Sequence, residues 1–199
     1  MSSNEHNGWA SPAPAGLVAL AIACFCFYAL LAGKVDHSCI PLLGFWLLGG
    51  FFVQIIVGIV DLKGGHTTGG NVFLFFSAFF MLVGGLEFIF KYFAAANGWA
   101  IDARIDGWAW LVLWIVLVMW TPAYLKQSPL VMSLVVLALD VAVFFVAFMD
   151  LQLISRDFAP IAGTFLLIGG ILGIYVASAI ILNTAFSKNV LPMPGPILK

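Results

Sequence analysis

Six long apolar runs separated by short polar breaks organise the chain. They cover roughly Leu17–Ala32, Ile40–Val60, Val72–Phe93, Trp108–Tyr124, Leu130–Met149 and Pro160–Leu182. Runs of this length are what a helix needs to cross the hydrocarbon of a bilayer. The pattern therefore predicts an all-α membrane protein of six transmembrane helices, with both termini on one side. Pro41 falls in the first turn of the second run, where its missing N–H costs little. Trp108 and Trp120 bracket the fourth run as indole anchors at the headgroup level. The chain divides into an N-terminal segment 1–16, a transmembrane domain 17–183 and a proline-rich tail 184–199, which ends LPMPGPILK.

The stretch Gly49 to Asn71, GGFFVQIIVGIVDLKGGHTTGGN, is the most informative break in the pattern. An apolar helix carries one amide, Gln54, and one internal glycine, Gly58, then leaves the hydrocarbon at Asp61. An amide within a spanning helix needs a partner, either another helix or a water-filled path. Thr67, Thr68, Gly69 and Asn71 after the Gly64-Gly65 turn are candidate caps for the next helix. A helix start of this kind presents backbone N–H groups to which a small carboxylate would be a natural guest. A plainly capped helix start accounts for the same residues. Ser11-Pro12-Ala13-Pro14-Ala15-Gly16 predicts an extended lead-in released into the first helix. It serves either as a rigid approach or as a segment folded against a pore mouth.

Composition agrees with the pattern: 63% of the 199 residues are hydrophobic and 9% are charged, too apolar a balance for a soluble domain of this size. A formal net charge of -1 gives no basic face for nucleic acid. Lys63, Lys126, Lys188 and Lys199 fall on one side of the membrane, and Lys34, Lys91, Arg104 and Arg156 on the other, so the positive-inside rule does not choose an orientation. The N-terminus has no Lys or Arg and carries Glu5, a poor start for a cleavable signal, so the first run is expected to stay as a membrane helix.

No hydrolytic or metal constellation stands out. His6, His37 and His66 lie in different loops, and Cys24, Cys26 and Cys39 read as small apolar residues. No phosphate-binding glycine loop is present, so the expectation is no enzyme, no metal and no cofactor. The polar residues inside the runs carry more. Asp140, in LALDVAVFF, is a candidate proton site or else a neutral acid hydrogen-bonded between helices. Glu87 is a second candidate proton site, although Lys91 four residues on makes an ion pair the simpler reading. Asn183 closes the sixth run as either a helix-terminus group or a pore-mouth ligand. Glycine pairs at Gly49-Gly50, Gly84-Gly85 and Gly169-Gly170, with Gly163 and Gly173, read as close helix contacts. The phenylalanines of the third run, Phe73 to Phe90, would make a hydrophobic constriction if they face a pore.

Three blocks in register resemble the acetate uptake transporter family, the succinate–acetate permeases of bacteria and their fungal relatives. The family's NPAPLGL opening corresponds to Ser11, Pro12, Ala13, Pro14, Ala15, Gly16 and Leu17. Its GG-x-x-Q-x-x-x-G and K-x-G-x-T-x-G blocks correspond to Gly50, Gln54, Gly58, Lys63, Gly65, Thr67 and Gly69. Its closing Y-x-A…LN-x-x-F-G-R-x-x-LP corresponds to Tyr175, Ala177, Leu182, Asn183, Phe186, Lys188, Leu191 and Pro192. The resemblance implies a pore in each protomer, a hexameric ring, cytoplasmic termini in a cell membrane, and acetate or succinate as substrate.

It also implies a pore narrowed at Leu20, Phe76 and Ala138, where the family has Phe, Tyr and Leu. Ser11 replaces the signature Asn and Ala15 the signature Leu. Gln54, Thr67, Asn71, Tyr175 and Asn183 are the candidate pore-lining or substrate-binding groups. The function expected is passage of acetate and related short carboxylates, by an anion channel or a proton-coupled permease. The alternatives are a neutral-solute channel of the urea or amide type and a scaffold that moves nothing.

Overall fold

A computed structural model describes residues 9–199; His6, Glu5 and the first half of the N-terminal segment lie outside the described residues. The chain forms helices α1 (Ala13–Leu31), α2 (Ile40–Lys63), α3 (Thr67–Phe75), α4 (Gly84–Ala96), α5 (Arg104–Gln127), α6 (Leu130–Asp150) and α7 (Ala159–Ala185). Short 3₁₀ turns, His37–Cys39 and Arg156–Phe158, lead into α2 and α7. Between α3 and α4, residues Phe76–Val83 are wound as a π-helix, so α3, this segment and α4 make one continuous third span. Six spans are long and apolar enough to cross a membrane.

Each span is longer than its apolar run because polar ends extend it by a turn or so. The first helix begins at Ala13, inside the SPAPAG lead-in, with Pro14 in its first turn. Pro12 itself is helical in backbone, with φ -84° and ψ -8°. The lead-in therefore turns helical at the first of those prolines rather than after the second. The third span begins at Thr67, five residues before the apolar run.

The spans stand in a ring in chain order. α1 packs on α2, α2 on the third span, α5 on α6, α6 on α7, and α7 returns to α1 in a long seam. Backbone approach at glycine makes some of these contacts tight. A Cβ on Gly44 of α2 would lie 2.7 Å from the Gly85 carbonyl oxygen of α4, and one on Gly85 would lie 2.8 Å from that of Gly44. A Cβ on Gly50 would meet the Met81 sulfur at 2.8 Å, whereas Gly49 and Gly84, the pair-mates of Gly50 and Gly85, have open space. α5 is the least buried span. It meets the third span through α3 and through Lys91, which bonds both Glu87 and Asp106.

Candidate pore and its terminus-side mouth

On the axis of the ring lies an apolar cavity of about 40 Å³, room for roughly two or three water-sized volumes. Its walls come from helical faces with a spacing of four and three: Leu20, Cys24 and Phe27 on α1, and Leu139, Val143 and Val146 on α6. Phe76 and Phe80 supply the third wall, with Trp110 of α5 and Leu166 of α7 completing it. No charged or amide side chain lines it. Phe80 stands edge-on to both Phe76 (ring centroids 5.9 Å apart) and Trp110 (5.5 Å), the arrangement that ring quadrupoles favour.

The π-helical winding helps place Phe76 and Phe80. A wider turn brings residues four apart nearly above one another, and both rings are buried. The change of winding frees a carbonyl of α3, and Ser77 Oγ donates to the Leu74 oxygen at 2.7 Å.

Leu20 and Phe76, two of the three expected constriction positions, line the cavity together. Ala138 does not: it is buried elsewhere, and the α6 wall is built by Leu139, about 100° round the helix. Phe80 is one of the third-run phenylalanines expected at a constriction if they face a pore; Cys24 was read only as a small apolar residue, and Phe27, Trp110 and Val143 were not expected at a pore.

Below the cavity, toward the termini, Leu17, Val57, Phe73, Val176 and Ala177 form a second apolar layer, with Leu20 belonging to both. Gln54 sits beside it, 1% exposed. Its Nε2 donates to the Gly16 carbonyl at 3.4 Å, and its Oε1 is buried without a partner. Gly16 is required there, because a Cβ would meet the Phe73 ring at 2.6 Å. Gln54 thus presents one free acceptor inside a layer that is otherwise apolar.

Several expected groups are engaged otherwise. Thr67 and Asn71 lie inside α3, not ahead of it, and Asn71 Nδ2 donates to the Thr67 carbonyl at 2.8 Å. Thr68 donates to Gln127 at the end of α5 at 3.1 Å. The helix start has no side-chain cap. The carboxylate nearest it is the chain's own: a Cβ on Gly69 would lie 3.3 Å from Oδ2 of buried Asp61, whose Oδ1 is 3.5 Å from His66 Nδ1. Asp61 therefore occupies the place proposed for a guest anion. Beside it, Trp9, Ser11, Pro12, Lys63 and His66 line a surface pocket of about 300 Å³, where the Lys63 ammonium stands 5.2 Å from the Trp9 ring centroid. The lead-in does fold against the terminus-side surface.

Tyr175 and Asn183 spend their polar atoms on the tail. Tyr175 Oη donates to the Pro192 carbonyl at 2.8 Å. Asn183 Oδ1 accepts from Val190 N at 2.7 Å and from Leu191 N at 2.9 Å, and its Nδ2 donates to the Leu191 carbonyl at 2.9 Å. Neither is free for a substrate in this conformation, because the tail already satisfies them.

The two candidate proton sites lie off the cavity. Asp140 stands at the α5–α6 contact: Thr121 Oγ1 is 2.7 Å from its Oδ2 and also 2.9 Å from the Leu117 carbonyl. Thr121 Oγ1 shares its one hydrogen between these two acceptors, and Asp140 Oδ1 is buried without a partner. Glu87 is 3.4 Å from the Lys91 ammonium at the opposite end of the ring from the termini.

Outside the spans, two exposed loop carboxyls, Asp102 and Asp36, are held below their usual range. Side-chain hydrogen bonds from Arg104 bring Asp102 to about 2, and the Ser38 backbone N–H lowers Asp36.

A ring of six spans around a small apolar space defines a multi-pass membrane protein with an axial cavity. The chain belongs to the GPR1/FUN34/yaaH family, whose sequence profile matches residues 1–195. Among solved structures it is similar to the bacterial acetate channel SatP, with 24% identity and a TM-score of 0.77, covering 93% of this chain and 99% of that one. At that identity the likeness is one of fold. No curated protein sequence matches it.

Proposed function

We propose that the chain is a channel for acetate and related short monocarboxylates, with one pore along the axis of each six-span ring. The observation that carries this reading is the axial cavity, walled by Leu20, Phe76 and Leu139, with the free Gln54 acceptor in the layer beneath it. The family membership and the fold shared with an acetate channel support it. An anion stripped of water in an apolar space costs far more than a neutral molecule. The species that crosses is therefore the protonated acid, its methyl against Phe76 and its hydroxyl donated to Gln54 Oε1.

This reading needs no titrating side chain on the path, so Asp140 and Glu87 are assigned to helix contacts and the mode to a channel rather than a proton symporter. Succinate, with two carboxyls, fits the cavity worse than acetate. The exposed apolar faces of the ring, including Phe45, Trp46, Phe52, Ile56 and Ile59 on α2, suit a lipid-facing or protomer-facing position in a hexamer with cytoplasmic termini.

Uptake of labelled acetate into proteoliposomes tests the proposal. The expected result is flux above empty vesicles that rises as pH falls, with little from succinate. Urea flux without acetate flux would instead support a neutral-amide channel. Flux of neither would support a scaffold.

A further inference from the structure

We infer that residues 190–199 form a strap over the terminus-side mouth and that Met193 is its plug. α7 ends at Ala185, and Ser187, with φ 49°, reverses the chain, so that the Lys188 N–H donates back to the Asn183 carbonyl. The tail then returns across the ends of three spans. It is fixed to α7 through Asn183 and Tyr175. It is fixed to α6 where the Leu130 N–H donates to the Pro194 carbonyl at 2.9 Å, and to α5 where the Leu198 N–H donates to the Leu125 carbonyl at 2.9 Å.

Between the anchors at Pro192 and Pro194, the Met193 side chain packs on the apolar layer of Leu17, Val57, Phe73, Val176 and Ala177. That layer lies directly below the axial cavity and shares Leu20 with it. A solute moving between the cavity and the terminus-side water meets Met193. An unbranched thioether with three rotatable bonds suits a removable plug better than a branched or aromatic side chain.

The construction of the strap also suits reversible release. Pro192, Pro194 and Pro196 carry no N–H and restrict the backbone, so a detached strap gains little freedom and needs no internal hydrogen bonds. The prolines and Gly195 are exposed; attachment rests on the named hydrogen bonds and on Met193. Asn183 is the clasp. It holds two tail N–H groups and one carbonyl at the point where the strap leaves α7, which explains an amide at this site better than substrate contact does.

This inference rests on the channel reading, and the test separates the two. Labelled-acetate uptake is measured in proteoliposomes for the unaltered chain, for Asn183→Ala and for Met193→Ala. A fourth variant, Leu130→Cys with Pro194→Cys, is made with Cys24, Cys26 and Cys39 replaced by alanine. Its two engineered positions are already in backbone contact, so a disulfide there holds the strap shut. The two alanine variants are expected to raise the uptake rate about fivefold to tenfold, the effect of removing one or two hydrogen bonds or a buried side chain from the closed state. The oxidised double-cysteine variant is expected to be silent and to recover on reduction. Absent flux from the unaltered chain would sink the channel reading. Normal flux in the oxidised variant, with the disulfide verified by mass, would overturn the strap while leaving the channel intact.

Discussion

Ser187 turns the end of α7 in the left-handed region, where a Cβ crowds the neighbouring carbonyl. The family pattern has glycine at this step. Ser187→Gly is expected to stabilise the fold by about 1 kcal/mol, read as a higher midpoint in thermal unfolding in detergent. Asp102 gives a second residue-scale expectation. Its carboxyl titrates near 2 because Arg104 donates to it. A depressed carboxyl contributes stability above its unfolded pKa of about 3.9, and that contribution fades as pH falls through the folded value. Carbon-detected NMR of the Asp102 carboxyl should show a midpoint near 2, and Arg104→Ala should return it toward the ordinary range.

Residues that read alike in the sequence separate here by partner. Gln54 and Asn183 are both amides in or beside apolar runs, yet one keeps a free acceptor in the bundle and the other is fully occupied by the tail. Sequence cannot make that distinction, because the tail carries no pattern that says where it folds.

At the scale of the element, the six spans were legible because hydrocarbon crossing demands long apolar runs, and the chain supplies them without ambiguity. The π-helical turn at Phe76–Val83 was not. Its residues are apolar all round, so a change from α to π winding leaves no mark on hydrophobic periodicity. Ala138 was placed by the family resemblance, which fixes a position along the chain and not which of two neighbouring apolar residues faces the cavity; Leu139 does. Glycines were legible as contacts, though not which of each pair. The α2–α4 contact at Gly44 and Gly85 has backbone on both sides, which cannot move aside as a side chain tip can. Gly44→Ala is expected to cost about 1–3 kcal/mol, seen as earlier unfolding in detergent. Gly49→Ala, with nothing near the added methyl, should match the unaltered protein or exceed it slightly.

For the whole molecule, the cavity is the product of five spans meeting, so no single segment announces it. Phe76→Trp adds volume where about 40 Å³ is open and is expected to cut acetate flux more than about tenfold, with the protein still folded because the added ring enters existing space. Leu139→Ala should act oppositely, widening the wall and admitting larger acids; uptake compared between acetate and butyrate measures the change.

The contact between α5 and the third span has a further meaning. Five of the six joints in the ring are long helix-on-helix seams, whereas this one is held by α3, by the ring contacts of Phe75 with Trp120 and Phe80 with Trp110, and by Lys91 bonded to Glu87 and Asp106. The molecule is a hoop closed by a buckle. That ion-pair cluster fastens the least buried span of the ring to its neighbour, so Lys91 holds in place the one joint that has no long seam of its own.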